Sequence, residues 1–296
     1  MTIAFLFAGQ GVDPPWVARD LLAEPAVAEL VDLAGDAAGV DMERLLIRGG
    51  RELARPEVLQ PALVAVSLGA FRLLARAGVR PDLAAGHSLG ELSAWAACEC
   101  VAAEDAVRAA ALRGRLMARE AANRPGGMLA LTGATHETCL EAVALGAGSV
   151  CIAAHNAPDE WVLSGDLAAL SRIAARFRGV RLAVAGAWHS PAMAGAVGEL
   201  GAALASIPRR PGRARWVANR DGQVADEPLI PELLAGQLVR PIRWVAALRT
   251  LEASGCRRLV AVGPGKMLRA LVRRTLGAGI EVEMAETLRD VERAAS

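Results

Sequence analysis

Ser88 stands in the run LAAGHSLGELSAW, Leu83 to Trp95. A short apolar stretch leads into Gly86-His87-Ser88-Leu89-Gly90, and a helical pattern follows. This is G-x-S-x-G between a strand and a helix, the setting in which a serine hydroxyl is raised above a sheet as a nucleophile. The flanking glycines permit a tight turn and close strand-helix approach, and the N–H of Leu89 would face the oxyanion of a tetrahedral intermediate. The same serine could cap the helix that follows, and the two roles are compatible. A serine hydroxyl is a weak nucleophile, so a base must lie within hydrogen-bond reach. The chain offers four histidines. His87 adjoins Ser88 at a turn where neighbouring side chains diverge, so its ring is expected to pack beside the pocket. His136 and His155 fall on an expected helix and after a strand in a segment with its own rhythm, where structural roles are expected. His189 sits where the chain leaves that segment.

The composition bounds the setting for this chemistry. The 296 residues, 53% hydrophobic and 22% charged with a net charge of +1, describe a globular protein with no electrostatic footprint for nucleic acid. No apolar run reaches the roughly 18 uncharged residues of a spanning helix, and Met1 leads into TIAFLF without a basic segment, so a cytosolic protein away from the membrane is expected. Cys98, Cys100, Cys139, Cys151 and Cys256 form no CxxC pair, which points to buried thiols and to neither a disulfide framework nor a zinc site. Basic charge is carried almost wholly by arginine, Lys266 being the one lysine.

The elements that must position Ser88 alternate between strand-like and helical patterns, which favours an α/β class with a largely parallel sheet. Ile3 to Phe7 reads as a strand ending in a Gly9-Gln10-Gly11 loop. Helical stretches cover Trp16 to Ala77, among them Pro61 to Ala77 with Pro61 near a first-turn position. Leu83 to Ala85 form a buried strand, Ser88 opens a helix to about Cys98, and another helix spans about Ala103 to Ala122. After the break at Asn123 to Gly127, the segments 128–132, 136–144, 150–154, 161–164, 167–177 and 180–184 read strand, helix, strand, strand, helix, strand. That is a ferredoxin-like βαββαβ order. It predicts an inserted small subdomain over 124–187 and a discontinuous large domain over 1–123 and 188–296. The larger pattern then resumes with a helix after Pro191, a strand at 214–218, a helix at 242–253, a strand at 258–262 and a helix opened by Gly263 to Lys266. The terminal RDVERAAS reads as a frayed end.

Several motifs, in order along the chain, resemble the malonyl-CoA:acyl carrier protein transacylase family and the acyltransferase domains of polyketide synthases. AFLFAGQG resembles the family's N-terminal strand and Gly-Gln-Gly loop. QPAL at Gln60 to Leu63 resembles a helix start, and GHSLGE at Gly86 to Glu91 the nucleophile motif. RGRLM at Arg113 to Met117 is similar to the arginine helix, NAPDEWVLSG at Asn156 to Gly165 to the subdomain hairpin, and WHS at Trp188 to Ser190 to the histidine segment. GQLVRPIRW at Gln237 to Trp244 and VGPGKML at Val262 to Leu268 complete the series. The resemblance implies an α/β-hydrolase-like large domain with a parallel sheet, carrying the ferredoxin-like insert.

It also implies roles. His189 would be the base for Ser88, with its imidazole oriented by the backbone carbonyl of Gln237 in a dyad; a carboxylate elsewhere in the chain is the alternative. Gln10 would supply the second oxyanion N–H beside that of Leu89. Arg113 would pair the carboxylate of a malonyl group, for which a planar guanidinium offers a two-point match that lysine lacks. Met117 one turn on belongs to the same pattern, while Arg115 should face elsewhere. Gln60 would hold the pocket by hydrogen bonding or serve the helix end, and Asn156 carries no chemistry. The implied reaction is ping-pong transfer of malonyl from malonyl-CoA through an acyl-serine to the phosphopantetheine thiol of an acyl carrier protein. It needs no metal or redox cofactor, no nucleic acid and no membrane, and a monomer is expected.

Two departures qualify the pattern. The family continues its Gly-Gln-Gly loop with Ser-Gln and then Gly-Met, whereas this chain has Val12 to Val17 as VDPPWV. Trp188 stands where malonyl-selective members have phenylalanine before the histidine; the bulkier ring should crowd an α-substituent or reshape the pocket for another acyl group. The rivals are an acyl hydrolase of the same fold, opposed by Arg113, a non-catalytic docking homologue, opposed by Ser88 and His189, and a malonate decarboxylase subunit, opposed by Glu91. The carrier protein could serve fatty-acid or polyketide synthesis.

Overall fold

A computed structural model of the chain describes residues 2–10 and 19–295. Gly11 of the loop, the departing run 12–17 and the start of the first expected helical stretch at Trp16 lie outside the described residues. In chain order, β1 (Thr2–Phe7) is followed by α1 (Arg19–Leu22), α2 (Pro25–Ala38), α3 (Met42–Arg48) and α4 (Pro56–Arg76). Next come β2 (Leu83–Gly86), α5 (Gly90–Ala97) and α6 (Ala103–Asn123). The central segment is β3 (Gly127–Thr132), α7 (His136–Leu145), β4 (Val150–Ala157), β5 (Glu160–Gly165), α8 (Leu167–Phe177) and β6 (Val180–Arg181). The chain closes with α9 (Ala194–Ser206), β7 (Arg215–Val217), α10 (Ile230–Gly236), α11 (Trp244–Ala253), β8 (Cys256–Val262), α12 (Lys266–Leu276), β9 (Glu281–Ala285) and α13 (Leu288–Ala295).

Five strands form one parallel sheet in the order β7-β2-β1-β8-β9. β1 and β2 are neighbours in its middle, and β1 from Ile3 and the whole of β2 are apolar, as strands covered on both faces must be. Four strands from the central segment form an antiparallel sheet in the order β4-β5-β3-β6, the ferredoxin-like arrangement, and bury a separate small core with α7 and α8. The expected strand 180–184 is paired only at Val180 and Arg181, and the chain beyond lines a cleft instead. The two sheets are joined where Ile242 bonds in parallel with β4, accepting from His155 N–H at 2.8 Å and donating to Ala153 O at 2.9 Å.

Three local expectations are corrected. α4 starts at Pro56, which takes the first-turn position, and Pro61 lies inside the helix, where it forgoes one backbone hydrogen bond. By length and composition this 21-residue helix could cross a membrane, but 78% of its apolar window is buried within the protein. α5 starts at Gly90, so Ser88 precedes it. RDVERAA, the described part of the expected frayed end, belongs to α13, whose Val291 and Ala294 are buried. Thr287 and Asp290 cap that helix reciprocally, Thr287 Oγ1 accepting from Asp290 N–H and Asp290 Oδ2 from Thr287 N–H.

Candidate active site

Between the end of β2 at Gly86 and the start of α5 at Gly90, the chain turns within three residues. A Cβ on Gly86 would lie 1.9 Å from the carbonyl carbon of Gly90, and one on Gly90 would lie 2.1 Å from the carbonyl oxygen of Phe7. Close approach, and not positive φ, therefore demands both glycines. The strain falls on Ser88, whose φ of +52° costs a residue with a Cβ about 1–3 kcal/mol. Its peptide is held from both sides: the N–H donates to Asn219 Oδ1 at 2.8 Å, and the carbonyl accepts from Gln237 Nε2 at 3.0 Å. Ser88 is not the helix cap. Leu89 occupies that position without a side-chain bond, and the Ser88 hydroxyl faces a different set of groups.

One of those groups is His189, 101 residues away in sequence, whose Nε2 lies 2.8 Å from Ser88 Oγ. His189 Nδ1–H donates to the backbone carbonyl of Gln237 at 3.0 Å, which fixes the tautomer and leaves Nε2 as the acceptor for the hydroxyl proton. No carboxylate takes the place of that carbonyl. Burial, and then the nearby Arg113 charge, push the imidazole down to about 3, so the ring is neutral at ordinary pH. His189 also has positive φ, +56°, so serine and histidine are two of the five described non-glycine residues with that conformation.

Arg113 completes the group. It lies on α6, only 2% exposed, and donates from Nη1 to Gln60 Oε1 at 2.8 Å and from Nη2 to Gln237 Oε1 at 2.9 Å and Ser88 Oγ at 3.2 Å. α6 reaches this depth because Gly114 has no side chain: a Cβ there would lie 2.4 Å from Pro56 O at the start of α4. Gln60 on α4 is held in turn by donating to Met117 Sδ at 3.4 Å. All of Arg113's hydrogen-bond acceptors here are neutral. Burial lowers the guanidinium to about 10, which leaves it charged at neutral pH and poised for an anion. Arg115 does face elsewhere, bonding Ala37 O at the surface.

Ser88 and His189 line a cleft of about 550 Å³ between the two sheets, and Arg113 reaches it from behind through its bond to the Ser88 hydroxyl. Its walls are largely apolar, with Leu53, Leu59, Met128, Val162, Ile242 and Met267 among them. Gln10 and Trp188 line it too; the Trp188 indole is buried, its benzo edge lying over Gly186. Leu89 is buried directly after the nucleophile. His87 is half-buried, donating from Nε2 to Asn156 Oδ1 at 2.8 Å and packing edge-on against Trp244. Burial lowers its pKa, and it makes no bond to the serine hydroxyl. His155 stacks flat on Trp161 at 3.7 Å and His136 leans on the same ring, and neither lines the cleft. Among the described residues no group of three or more His, Cys, Asp and Glu is arranged to hold a metal.

Asn219 lies in none of the sequence motifs, and Glu91 stands in the nucleophile motif with no role assigned to it there. Asn219, fully buried after β7, receives the Ser88 N–H and donates to Gly86 O at 2.7 Å. Glu91, 1% exposed, accepts from Asn219 N–H at 2.6 Å and from Gln237 Nε2. Burial pushes the Glu91 carboxyl up to about 8, against the opposing pull of those donors and of Arg113. The side chain of Gln237 was likewise unforeseen; only its carbonyl was expected.

The family model described as acyl transferase domain matches residues 4–294. A malonyl CoA-acyl carrier protein transacylase of Mycobacterium bovis is 33% identical over 303 residues, covering 99% of each chain. The spectinabilin polyketide synthase system protein NorB of Streptomyces orinoci is 36% identical over 295 residues; the alignment takes in 93% of this chain and only 13% of that longer protein. Among solved structures, the malonyl-CoA:acyl carrier protein transacylase of Xanthomonas oryzae pv. oryzae superposes with a TM-score of 0.91 at 35% identity, covering 99% of this chain and 97% of that one. A malonyl-transacylase solved with its type II polyketide synthase acyl-carrier protein superposes with a TM-score of 0.93 at 28% identity, covering 100% and 99%.

Proposed function

The chain belongs to the acyl transferase domain family, and from that premise we propose that it moves a malonyl group from malonyl-CoA to the phosphopantetheine thiol of an acyl carrier protein. The observation that carries this reading is the convergence on one hydroxyl: Ser88 Oγ contacts a neutral, oriented imidazole and a buried guanidinium whose hydrogen-bond acceptors among the described residues are all neutral. A base next to a serine supports acyl transfer in general; the buried cation selects an acyl group that carries its own carboxylate.

The steps follow from the geometry. Malonyl thioester enters the cleft between a large lobe, residues 1–123 and 188–296, and a small lobe, residues 124–187. Its carboxylate pairs with Arg113. His189 Nε2 takes the Ser88 proton as Oγ attacks the thioester carbonyl, and the N–H groups of Leu89 and Gln10 stabilise the oxyanion. The proton passes to the departing CoA sulfur, leaving malonyl-Ser88. The carrier's thiol then gives its proton to His189 and attacks the ester, and collapse of the second tetrahedral intermediate returns the proton to Ser88. Side chains and backbone carry every step, in the cytosol, for fatty-acid or polyketide synthesis. The apolar walls suit the pantetheine arm, and Trp188 narrows the pocket toward malonyl over α-substituted groups.

Incubation with malonyl-, methylmalonyl- or acetyl-CoA, followed by weighing the intact protein, tests this. A malonyl adduct that disappears in Ser88→Ala is expected; a stable acetyl adduct with no malonyl adduct overturns the substrate assignment.

A further inference from the structure

We propose that Glu91 is a positioning residue for this reaction, its carboxylate setting the amide orientation of Gln237 and thereby presenting an oxygen, and not an N–H, to Arg113. The inference rests on the function proposed above and assigns a new determinant of its acyl selectivity.

An amide side chain can turn over with little steric change, so its orientation is decided by its partners. Gln237 has three around its side chain. The Ser88 carbonyl can only accept, and both it and Glu91 Oε2 take Nε2–H bonds; Arg113 can only donate, and faces Oε1. Glu91 is committed to this arrangement by its other oxygen, which accepts the Asn219 N–H at 2.6 Å. Asn219 in turn holds Ser88 through its N–H, so one buried carboxylate links the peptide on each side of the strained nucleophile. A buried side chain this fully engaged is either a structural staple or the element that orders the site, and the two differ in what a neutral isostere would do.

In Glu91→Gln the side chain keeps its shape but carries one acceptor and one donor. With its oxygen on Asn219, its N–H₂ opposes the N–H₂ of Gln237, and the Gln237 amide must draw away or turn, the turn also setting Oε1 against the Ser88 carbonyl. Either movement takes the Gln237 oxygen from the guanidinium, and Arg113 loses its hold on the orientation that receives a carboxylate. Where Glu91 is ionised, a through-space effect runs the other way: removing that charge favours an anionic acyl group. The lone pair of Gln237 touches Arg113 directly, whereas the carboxylate is one side chain further off, so the contact effect dominates.

The test measures the rates of loading from malonyl-CoA and from acetyl-CoA for the wild-type protein, Glu91→Gln, Arg113→Ala and the double variant, with urea midpoints as a check on folding. Glu91→Gln is expected to lower the malonyl-to-acetyl ratio of kcat/KM at least tenfold, and this effect should vanish in the Arg113→Ala background. An unchanged ratio, a raised ratio, or the same fall without Arg113 overturns the proposal. Should Glu91→Gln fail to fold, Glu91→Asp, whose shorter carboxylate cannot span both partners, carries the same expectation and the same overturning results. Failure of the wild-type protein to take malonyl would instead reject the underlying function.

Discussion

Ser88 and His189 both adopt the left-handed conformation; Asn219 and Gln237 hold the Ser88 peptide, and the Gln237 carbonyl holds the His189 ring. The same groups make Arg113 the residue whose replacement is most informative. Arg113→Ala should reduce malonyl loading relative to acetyl loading by about 10- to 100-fold, the worth of a charge-assisted hydrogen-bond pair. Arg113→Lys should recover little, since a point charge cannot bond Gln60 and Gln237 together. Equal losses for malonyl and acetyl in rapid-quench loading assays would make Arg113 structural. For His189, a base pushed down to about 3 stays neutral, so the loading rate should hold steady from about pH 7.5 to about 5.5, where an ordinary histidine would titrate. Ser88, His189 and Arg113 were readable because each sits in a local motif of fixed chemistry. Asn219 and Glu91 act through the fold: their partners are 131 and 146 positions away, and no local spacing records that.

At the level of elements, α6 delivers Arg113 only as deeply as Gly114 lets it approach α4. Gly114→Ala should lower the urea midpoint by about 1–3 kcal/mol of stability, the cost of overpacking against backbone, and should also erode the malonyl preference. Gly198→Ala on α9, where an added Cβ meets nothing within 4 Å, should be neutral or mildly stabilising in the same measurement. Long periodic helices and apolar central strands were legible, and so was the ferredoxin-like order of the small sheet. The start of α4 was misplaced because Pro56 and Pro61 both carry a first-turn signature, and only packing distinguishes them. β9 and α13 were missed at the chain's end. β9 is a short edge strand with weak alternation, whereas the Thr287 to Asp290 spacing was a usable capping signal for α13.

The whole molecule places its chemistry between two sheets, with Ser88 just past the end of the parallel strand β2 and part of the cleft wall on the antiparallel sheet. Burying His189 in neutral form has a global cost. The unfolded chain binds a proton at the usual value of 6.5 and the folded chain only near 3, so stability should fall as pH drops through that interval, by an amount on the order of a few kcal/mol. Glu91 acts with the opposite slope: its carboxyl is raised from 4.5 to about 8, so the folded state binds the extra proton and stability should decline as pH rises between those values. Denaturation midpoints across pH for the wild-type protein, His189→Gln and Glu91→Gln check this, each variant flattening its own limb.

The most direct test of transfer itself is a single turnover. Malonyl-loaded enzyme, freed of CoA and mixed with a carrier protein bearing its phosphopantetheine thiol, should lose malonyl from Ser88 in step with its arrival on that thiol. Release of the malonyl as free malonate, with none reaching the carrier, would contradict the account.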